Sequence, residues 1–179
     1  MVRVLSALLI IVLCTPWTLT GCFPAADYYF KSTRIDDSNF PDDNFRNFLL
    51  ESKYNEDGFL EARALFETSL DVSSRDIRDL KGIEHFPNLT SLDCSDNQLA
   101  ALDVNKNTEL ERLDCSNNQL VGLDLTSNPK LQRVYCSGNR LIEVEGLSDS
   151  VNSVSGLDQS ITVPVKPDGR NGYVSFGSF

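Results

Sequence analysis

The chain has 179 residues, 41% of them hydrophobic, which is enough for about one globular domain together with a targeting segment. Its 26 acidic residues outnumber its 16 basic residues, so the formal net charge is −10. This balance argues against nucleic acid and anionic lipid surfaces as partners, because phosphate binding needs a basic patch and the sequence has no cluster of Lys or Arg.

Residues 1–21 have the layout of an export signal. Arg3 is followed by an apolar run, residues 4–13, that is broken only by Ser6. About ten residues are too few to span a bilayer, which needs about 20, but they suit the centre of a signal peptide. We therefore predict that residues 1–21 are removed on export, which leaves 15 basic and 26 acidic residues and a net charge of −11.

The four residues Leu19-Thr20-Gly21-Cys22 match the lipobox of bacterial lipoproteins at every position. The resemblance implies cleavage before Cys22 and covalent attachment of lipid to its thiol. Acyl chains contribute about 0.8 kcal/mol per buried CH₂, and more than one chain gives stable membrane anchoring. Phe23, where Asp would signal retention, implies delivery to the outer membrane or the cell surface. The alternative is ordinary cleavage near Ala25-Ala26, which would release a soluble secreted protein.

Residues 22–39 join the lipidated cysteine to the domain and are predicted to be a tether. Its aromatic segment Tyr28-Tyr29-Phe30 suits either packing on the domain or contact with the membrane surface. Residues 40–69 are predicted to form a small α-helical N-terminal cap. Pro41-Asp42-Asp43 favours a helix start, because Pro suits the first turn and acids suit the positive end of the helix dipole. The apolar residues that follow at helical spacing are Phe45, Phe48 and Leu49.

A second cap helix is expected over residues 60–67, and the segment Asn55-Glu56-Asp57-Gly58 precedes it. This acidic segment invites comparison with a calcium loop. An EF-hand loop with Gly58 at its sixth position would put Lys53 first and Ala64 twelfth, where oxygen ligands are required. We therefore interpret residues 55–58 as a plain connection between two helices, with a decayed calcium loop as the alternative.

Residues 70–147 contain a sequence repeat. Cys94, Cys115 and Cys136 recur at one constant spacing. The same spacing relates four further columns, which are Asn97, Asn118 and Asn139; Leu92, Leu113 and Val134; Leu99, Leu120 and Leu141; and Leu102, Leu123 and Val144. A period of about 21 residues with the pattern L-x-x-L-x-L/C-x-x-N-x-L is the leucine-rich-repeat signature. We predict a leucine-rich-repeat solenoid of the α/β class with short parallel strands.

Each repeat unit has two similar halves, and a weaker copy at Leu70-Asp71-Val72 stands one residue out of step. At alternate positions of each strand, Leu, Val or Cys points inward and Asp or Ser points outward. Stacking of the coils joins their apolar edges into one core. The asparagine at each corner can bond backbone groups that the turn leaves open. We therefore predict a structural role for both the asparagine and the cysteine columns.

The three repeat cysteines occupy positions that need an inward apolar residue. Export normally permits disulfides, but three is an odd number and Cys22 is expected to carry lipid. Parallel strands lie about 4.8 Å apart, within disulfide range, but side chains pointing into one core have poor bridging geometry. We interpret the column as buried thiols without disulfides. A disulfide and a metal site, which would need tetrahedral ligands, are the alternatives.

The motif L-x-x-L-D-C-S-x-N-x-L over residues 89–147 resembles the cysteine-bearing leucine-rich repeats of bacterial surface proteins, in particular those of the internalin type. The segments Phe40-Pro41-Asp42-Asp43-Asn44-Phe45 and Leu80-Lys81-Gly82-Ile83-Glu84 also resemble the region that precedes such repeats. The resemblance implies a non-catalytic scaffold for binding or adhesion, and it identifies no ligand.

Residues 148–179 are predicted to be a C-terminal β cap or tail. Residues 161–165 and 173–176 are β-rich runs around a strong turn cluster, and Pro164 suits an edge strand. They form either a compact hairpin cap or the stump of a longer ancestor.

No catalytic site emerges from the sequence. The only histidine is His85, and no nucleophile-elbow glycines surround any serine. We expect a protein that is not an enzyme and needs no metal or cofactor other than the lipid on Cys22.

The outward positions beside each cysteine form the expected binding face. The candidate ligand-binding residues are Ser91, Asp93, Arg112, Asp114, Arg133 and Tyr135. Tyr135 with its two arginines is the strongest anchor, because Tyr and Arg dominate interface hot spots; the alternative is a solvated sheet face. The face presents roughly 250–350 Å², whereas a stable protein interface takes about 800 Å² from each partner.

Two functions fit these observations. The first is a cell-envelope lipoprotein whose repeats bind a protein, peptide or glycan, as in adhesion, with weak contacts multiplied over many anchored copies. The second is a structural envelope component, or a shortened remnant of a larger repeat protein, with no ligand of its own.

Overall fold

The computed structural model describes residues 33–147, Val151 and residues 153–155. The predicted signal peptide, Cys22, most of the tether and the predicted strands at residues 161–165 and 173–176 lie outside the described residues. The cap elements are α1 (Asp43–Glu51), β1 (Asn55–Glu56), β2 (Phe59–Leu60) and a 3₁₀ helix (Ala62–Phe66). The solenoid contributes a second 3₁₀ helix (Ile83–His85) and the strands β3 (Ser69–Asp71), β4 (Ser91–Asp93), β5 (Arg112–Asp114), β6 (Gly122–Asp124), β7 (Arg133–Tyr135), β8 (Glu143–Glu145) and β9 (Ser153–Ser155).

Helix α1 begins where the sequence predicted a helix start, with a different assignment of its first residues. Asp42 is the N-cap, and its carboxylate accepts from the N–H groups of Asn44 and Phe45, both at 2.9 Å. Pro41 therefore precedes the cap and does not lie in the first turn. Phe45 and Leu49 are fully buried, so this face of the helix covers the N-terminal end of the core.

The second predicted cap helix, over residues 60–67, is present only as the short 3₁₀ helix Ala62–Phe66, and Leu60 is not part of it. The chain forms an antiparallel hairpin in which Glu56 pairs with Phe59, and Asp57-Gly58 is its two-residue turn. Both turn residues have positive φ, 52° and 84°, as a type I′ turn requires, and Asp-Gly is a favoured sequence for it. Leu60 is consequently held in a strand, and only the short 3₁₀ helix follows. The segment compared above with a calcium loop is this hairpin.

The predicted leucine-rich-repeat solenoid is confirmed. Strands β3, β4, β5, β7 and β9 form one parallel sheet in that order, and β6 and β8 form a second parallel pair on the other half of each coil. Leu70 pairs with Leu92 and Leu92 pairs with Leu113, so the first coil is one residue longer than the next. The sheet also continues beyond residue 147, the predicted end of the repeats, because β9 pairs with β7. The spacing between these two strands is one residue shorter than the regular period.

One apolar core runs from the cap through the coils. The inward residues of successive strands, such as Leu92, Leu113 and Val134, are fully buried. The cap joins this core through aromatic contacts, since the ring of Tyr54 meets that of Phe86 edge-on at a centroid distance of 5.3 Å. Within the described part of the chain, no helix is long and apolar enough to cross a membrane.

Candidate binding face

An asparagine closes the corner that follows each cysteine, and it is buried at residues 97 and 118 and partly buried at residue 139. Nδ2 of Asn118 donates to the carbonyls of Cys94, Cys115 and Ser116 at 3.0–3.1 Å, and its Oδ1 accepts from the Leu99 N–H at 2.9 Å. Corresponding contacts are made by Asn97 and Asn139. Each amide therefore ties its own coil to a neighbouring one, and its polar atoms are occupied within the scaffold.

A second asparagine column lies on the other half of the coil. Nδ2 of Asn107 donates to the carbonyls of Ile83 and Phe86, and Nδ2 of Asn128 donates to those of Val104 and Asn107, all at 2.9–3.0 Å. We did not include this pair among the structural residues. The signal for it was present, because the second halves of the first two repeats also end in asparagine.

The three repeat cysteines are fully buried, and the structure places none of them in a disulfide. The thiols of Cys94 and Cys115 lie 3.3 and 3.4 Å from the carbonyl oxygens of Asp114 and Tyr135 on the next strand. Burial is the main cause that raises the pKa of both thiols, so they stay protonated at neutral pH. A buried, protonated thiol is a poor nucleophile and a poor metal ligand.

The outward aspartates stabilise the ends of their strands. In each Asp-x-Ser segment the carboxylate accepts from the backbone N–H and the hydroxyl of the serine two residues later; the hydroxyl distances are 2.7 Å for Asp71, 2.6 Å for Asp93 and 2.8 Å for Asp114. The hydrogen bonds from Ser73 lower the pKa of Asp71. One oxygen of each carboxylate thus has a local role, which the Asp-x-Ser spacing signals and which sequence reasoning missed.

The side chains of Tyr135 and Arg112, which the sequence predicts to be part of the main anchor for a ligand, are in contact. The Arg112 guanidinium carbon lies 4.4 Å from the Tyr135 ring centroid, and its Nη2 lies 3.4 Å from Oδ2 of Asp114. The guanidinium is therefore held by a cation–π contact and an ion pair together. Arg133 is the register partner of Arg112; it is exposed, and no ion pair to it occurs among the described residues. Ser91 and Asp93 lie half-buried on the adjoining strand.

The repeats are related to known structures. A family model described as leucine-rich repeats in two copies matches residues 108–149. The functional domain of InlJ from Listeria monocytogenes, which includes a cysteine ladder, is 28% identical with a TM-score of 0.52, and the match covers 74% of this chain and 35% of that one. The repeats are therefore similar to leucine-rich repeats of the internalin type. An internalin (InlF) from the same species is 16% identical with a TM-score of 0.52, over 75% of this chain and 48% of that one.

The chain thus spans between about a third and a half of the length of these two structures. No curated protein matches the chain. The internalin-type fold is typically a non-catalytic binding scaffold. The sole histidine, His85, ends the second 3₁₀ helix of the solenoid and faces the N-terminal segment, where its Nδ1 is 3.4 Å from the Thr33 hydroxyl and its ring packs on Phe40. Within the described residues, no group of three or more His, Cys, Asp or Glu side chains is placed to hold a metal.

Proposed function

We propose that the protein is a non-catalytic cell-envelope lipoprotein whose outward face on β3, β4, β5 and β7 binds a protein or peptide ligand in adhesion. The observation that carries the proposal is the contrast between this face and the rest of the scaffold. The column Asn97, Asn118 and Asn139 and one oxygen of each outward aspartate are occupied within the scaffold, whereas the side chains of Arg133 and of the Arg112–Tyr135 pair have no comparable contacts to the backbone among the described residues. Tyr and Arg are the residues that most often dominate interface energies.

The proposed anchoring at a bacterial surface rests on the lipobox and on the similarity of the repeats to those of the solved internalin structures. The lipobox Leu19-Thr20-Gly21-Cys22 supports lipid attachment. The predicted tether ends earlier than residue 39, because residues 33–35 bond to the cap hairpin and Ile35 is buried. Internalin-type relatives support a place on the bacterial surface. A face of roughly 250–350 Å² binds weakly when alone. Display of many copies on one membrane would convert weak contacts into adhesion through avidity.

The second candidate is a structural envelope component, or a shortened repeat protein, without a ligand of its own. The small area of the face favours it, because a stable protein interface takes about 800 Å² from each partner. The two candidates differ in one measurable property. Adhesion requires the face to be accessible outside the cell, whereas an internal structural role does not.

Labelling of intact cells separates these candidates. Cells carrying wild-type protein, Cys22→Ala or Cys14→Ala are treated with protease and with antibody against the repeats. Cys14 is a matched control because it is a nearby cysteine that lies in the predicted signal peptide, outside the lipobox. Surface labelling of wild type and Cys14→Ala, with release or failed processing of Cys22→Ala, supports the proposal. Protection of the wild type in intact cells would favour the structural candidate. If the labelling and processing of Cys22→Ala are the same as those of the wild type, lipid attachment at Cys22 is refuted.

A further inference from the structure

The outward face carries like charges side by side. Asp71, Asp93 and Asp114 are register partners on β3, β4 and β5, and Arg112 and Arg133 are register partners on β5 and β7. Neighbouring strands lie about 4.8 Å apart, and like charges directly opposite one another destabilise a sheet. The pair Asp71 and Asp93 forms an acidic half near the cap, and the pair Arg112 and Arg133 makes the half farther along the solenoid basic, because the two arginines outnumber Asp114 there. In each half an oppositely charged ligand group would relieve repulsion.

Only part of this charge is neutralised within the protein. Arg112 has an ion pair with Asp114, and Arg75 lies close enough to Asp71 to help lower its pKa while it also packs over the Phe48 ring. No ion pair to Asp93 or Arg133 occurs among the described residues. Asp93 in the acidic half and Arg133 in the basic half therefore remain available to form an ion pair with a ligand.

We propose that this face binds an extended peptide segment that carries a basic and an acidic side chain in fixed spacing, an inference that rests on the proposed binding function. The centres of the two pairs are two strand spacings apart across the sheet and two residues apart along the strands, which is about 12 Å. An extended chain covers about 13 Å between residues i and i+4, and these two side chains lie on the same side. The ligand pattern is therefore Lys/Arg-x-x-x-Asp/Glu, with the basic group over Asp93 and the acidic group over Arg133.

A peptide fits this pattern better than an acidic glycan does. A polyanionic sugar chain that reached Arg112 and Arg133 would also extend over Asp71 and Asp93, where its charges would be repelled. The net charge of −10 on the whole chain adds to this repulsion. A polypeptide can present both signs within five residues and satisfy both halves of the face.

The test is a titration of the isotope-labelled full chain, followed by amide chemical shifts. The probes are blocked pentapeptides with Ser and Thr at the three central positions and with Lys/Glu, Lys/Lys or Glu/Glu at the ends, together with an acidic tetrasaccharide. The Lys/Glu peptide is expected to bind best and to shift resonances of β4 and β7. Because an exposed ion pair contributes up to about 1 kcal/mol, Arg133→Gln and Asp93→Asn should each weaken this peptide roughly three- to fivefold.

Two control variants separate effects at the binding face from general effects on charge and on the scaffold. Arg140→Gln removes an equal charge from an exposed position outside the face strands. Asp124→Asn alters a carboxylate on β6 that accepts from Thr126 in the same way that Asp93 accepts from Ser95. Neither variant should change the affinity for the Lys/Glu peptide. Arg133→Glu should reverse the preference and favour the Lys/Lys peptide.

Each contrary outcome overturns this proposal and bears differently on the proposed function. Equal or tighter binding of the Glu/Glu peptide or the tetrasaccharide, or no effect of Asp93→Asn, would refute the two-charge pattern but leave a binding face. If no probe shifts the β4 and β7 resonances, the peptide proposal fails. The adhesion function is then judged separately, from attachment of cells that display Tyr135→Ser.

Discussion

Replacement of Asn118 by alanine should remove much of the stability of the solenoid. The side chain makes four hydrogen bonds to backbone groups, at 2.9–3.1 Å, and it is almost fully buried. Each such bond contributes about 0.5–1.5 kcal/mol net, and an unsatisfied buried group costs about 1–3 kcal/mol. We therefore expect the free energy of unfolding to fall by about 3–5 kcal/mol, out of roughly 5–15 kcal/mol for a typical domain.

The assay is urea unfolding followed by circular dichroism, with Gln119→Ala as the control. Gln119 is the exposed neighbour of Asn118, so its truncation should change the free energy by less than about 0.5 kcal/mol. The Asn118→Ala midpoint should fall well below that of the control. If the two variants unfold at the same urea concentration, the asparagine column does not hold the coils together and the scaffold argument fails.

Three further predictions follow from local geometry. Gly82→Ala should destabilise more than Gly58→Ala in thermal melts, because both have positive φ but only at residue 82 would the new Cβ collide with the Phe40 ring; equal losses would contradict this. The repeat thiols should resist a thiol reagent at neutral pH until urea unfolds the chain, and rapid labelling of the native protein would show that they are not buried. Because the pKa of Asp71 is lowered in the folded state, this carboxylate contributes stability above its unfolded pKa of about 4, and that stability is lost as the pH falls through the folded pKa. Ser73→Ala should therefore reduce the drop in the urea midpoint between pH 7 and pH 3. An unchanged drop would refute that role.

The solenoid was predictable because its information is repeated. Each of the three regular coils places an apolar residue, a cysteine and an asparagine at the same positions, so the constant period fixes which strands are neighbours and in which register. A single helix or hairpin has no such redundancy. The last strand, β9, was missed for the same reason, because its spacing from β7 is one residue shorter than the period and its residues Ser153–Ser155 have neither the cysteine nor the asparagine.

The cap was predicted less well because two local signals compete there. Apolar spacing after residue 60 suggested a helix, but Asp57-Gly58 favours a type I′ turn, and the tight turn fixes the following residues in a strand. On the binding face, the sequence predicted which side chains point outward. It did not reveal that Arg112 packs on Tyr135 or that each aspartate is bonded to the serine after it, because these contacts depend on rotamers.

Attachment of intact cells tests the central claim of a surface-displayed binding face most directly. Cells displaying equal amounts of wild-type protein, Tyr135→Ser or Arg140→Gln are applied to arrays of immobilised extracellular proteins and peptides. Tyr135→Ser removes the aromatic ring that supports Arg112, whereas Arg140→Gln changes an exposed charge outside the face strands. The account predicts attachment by wild type and Arg140→Gln and a clear loss by Tyr135→Ser. Equal attachment by all three, or none by wild type, would contradict it.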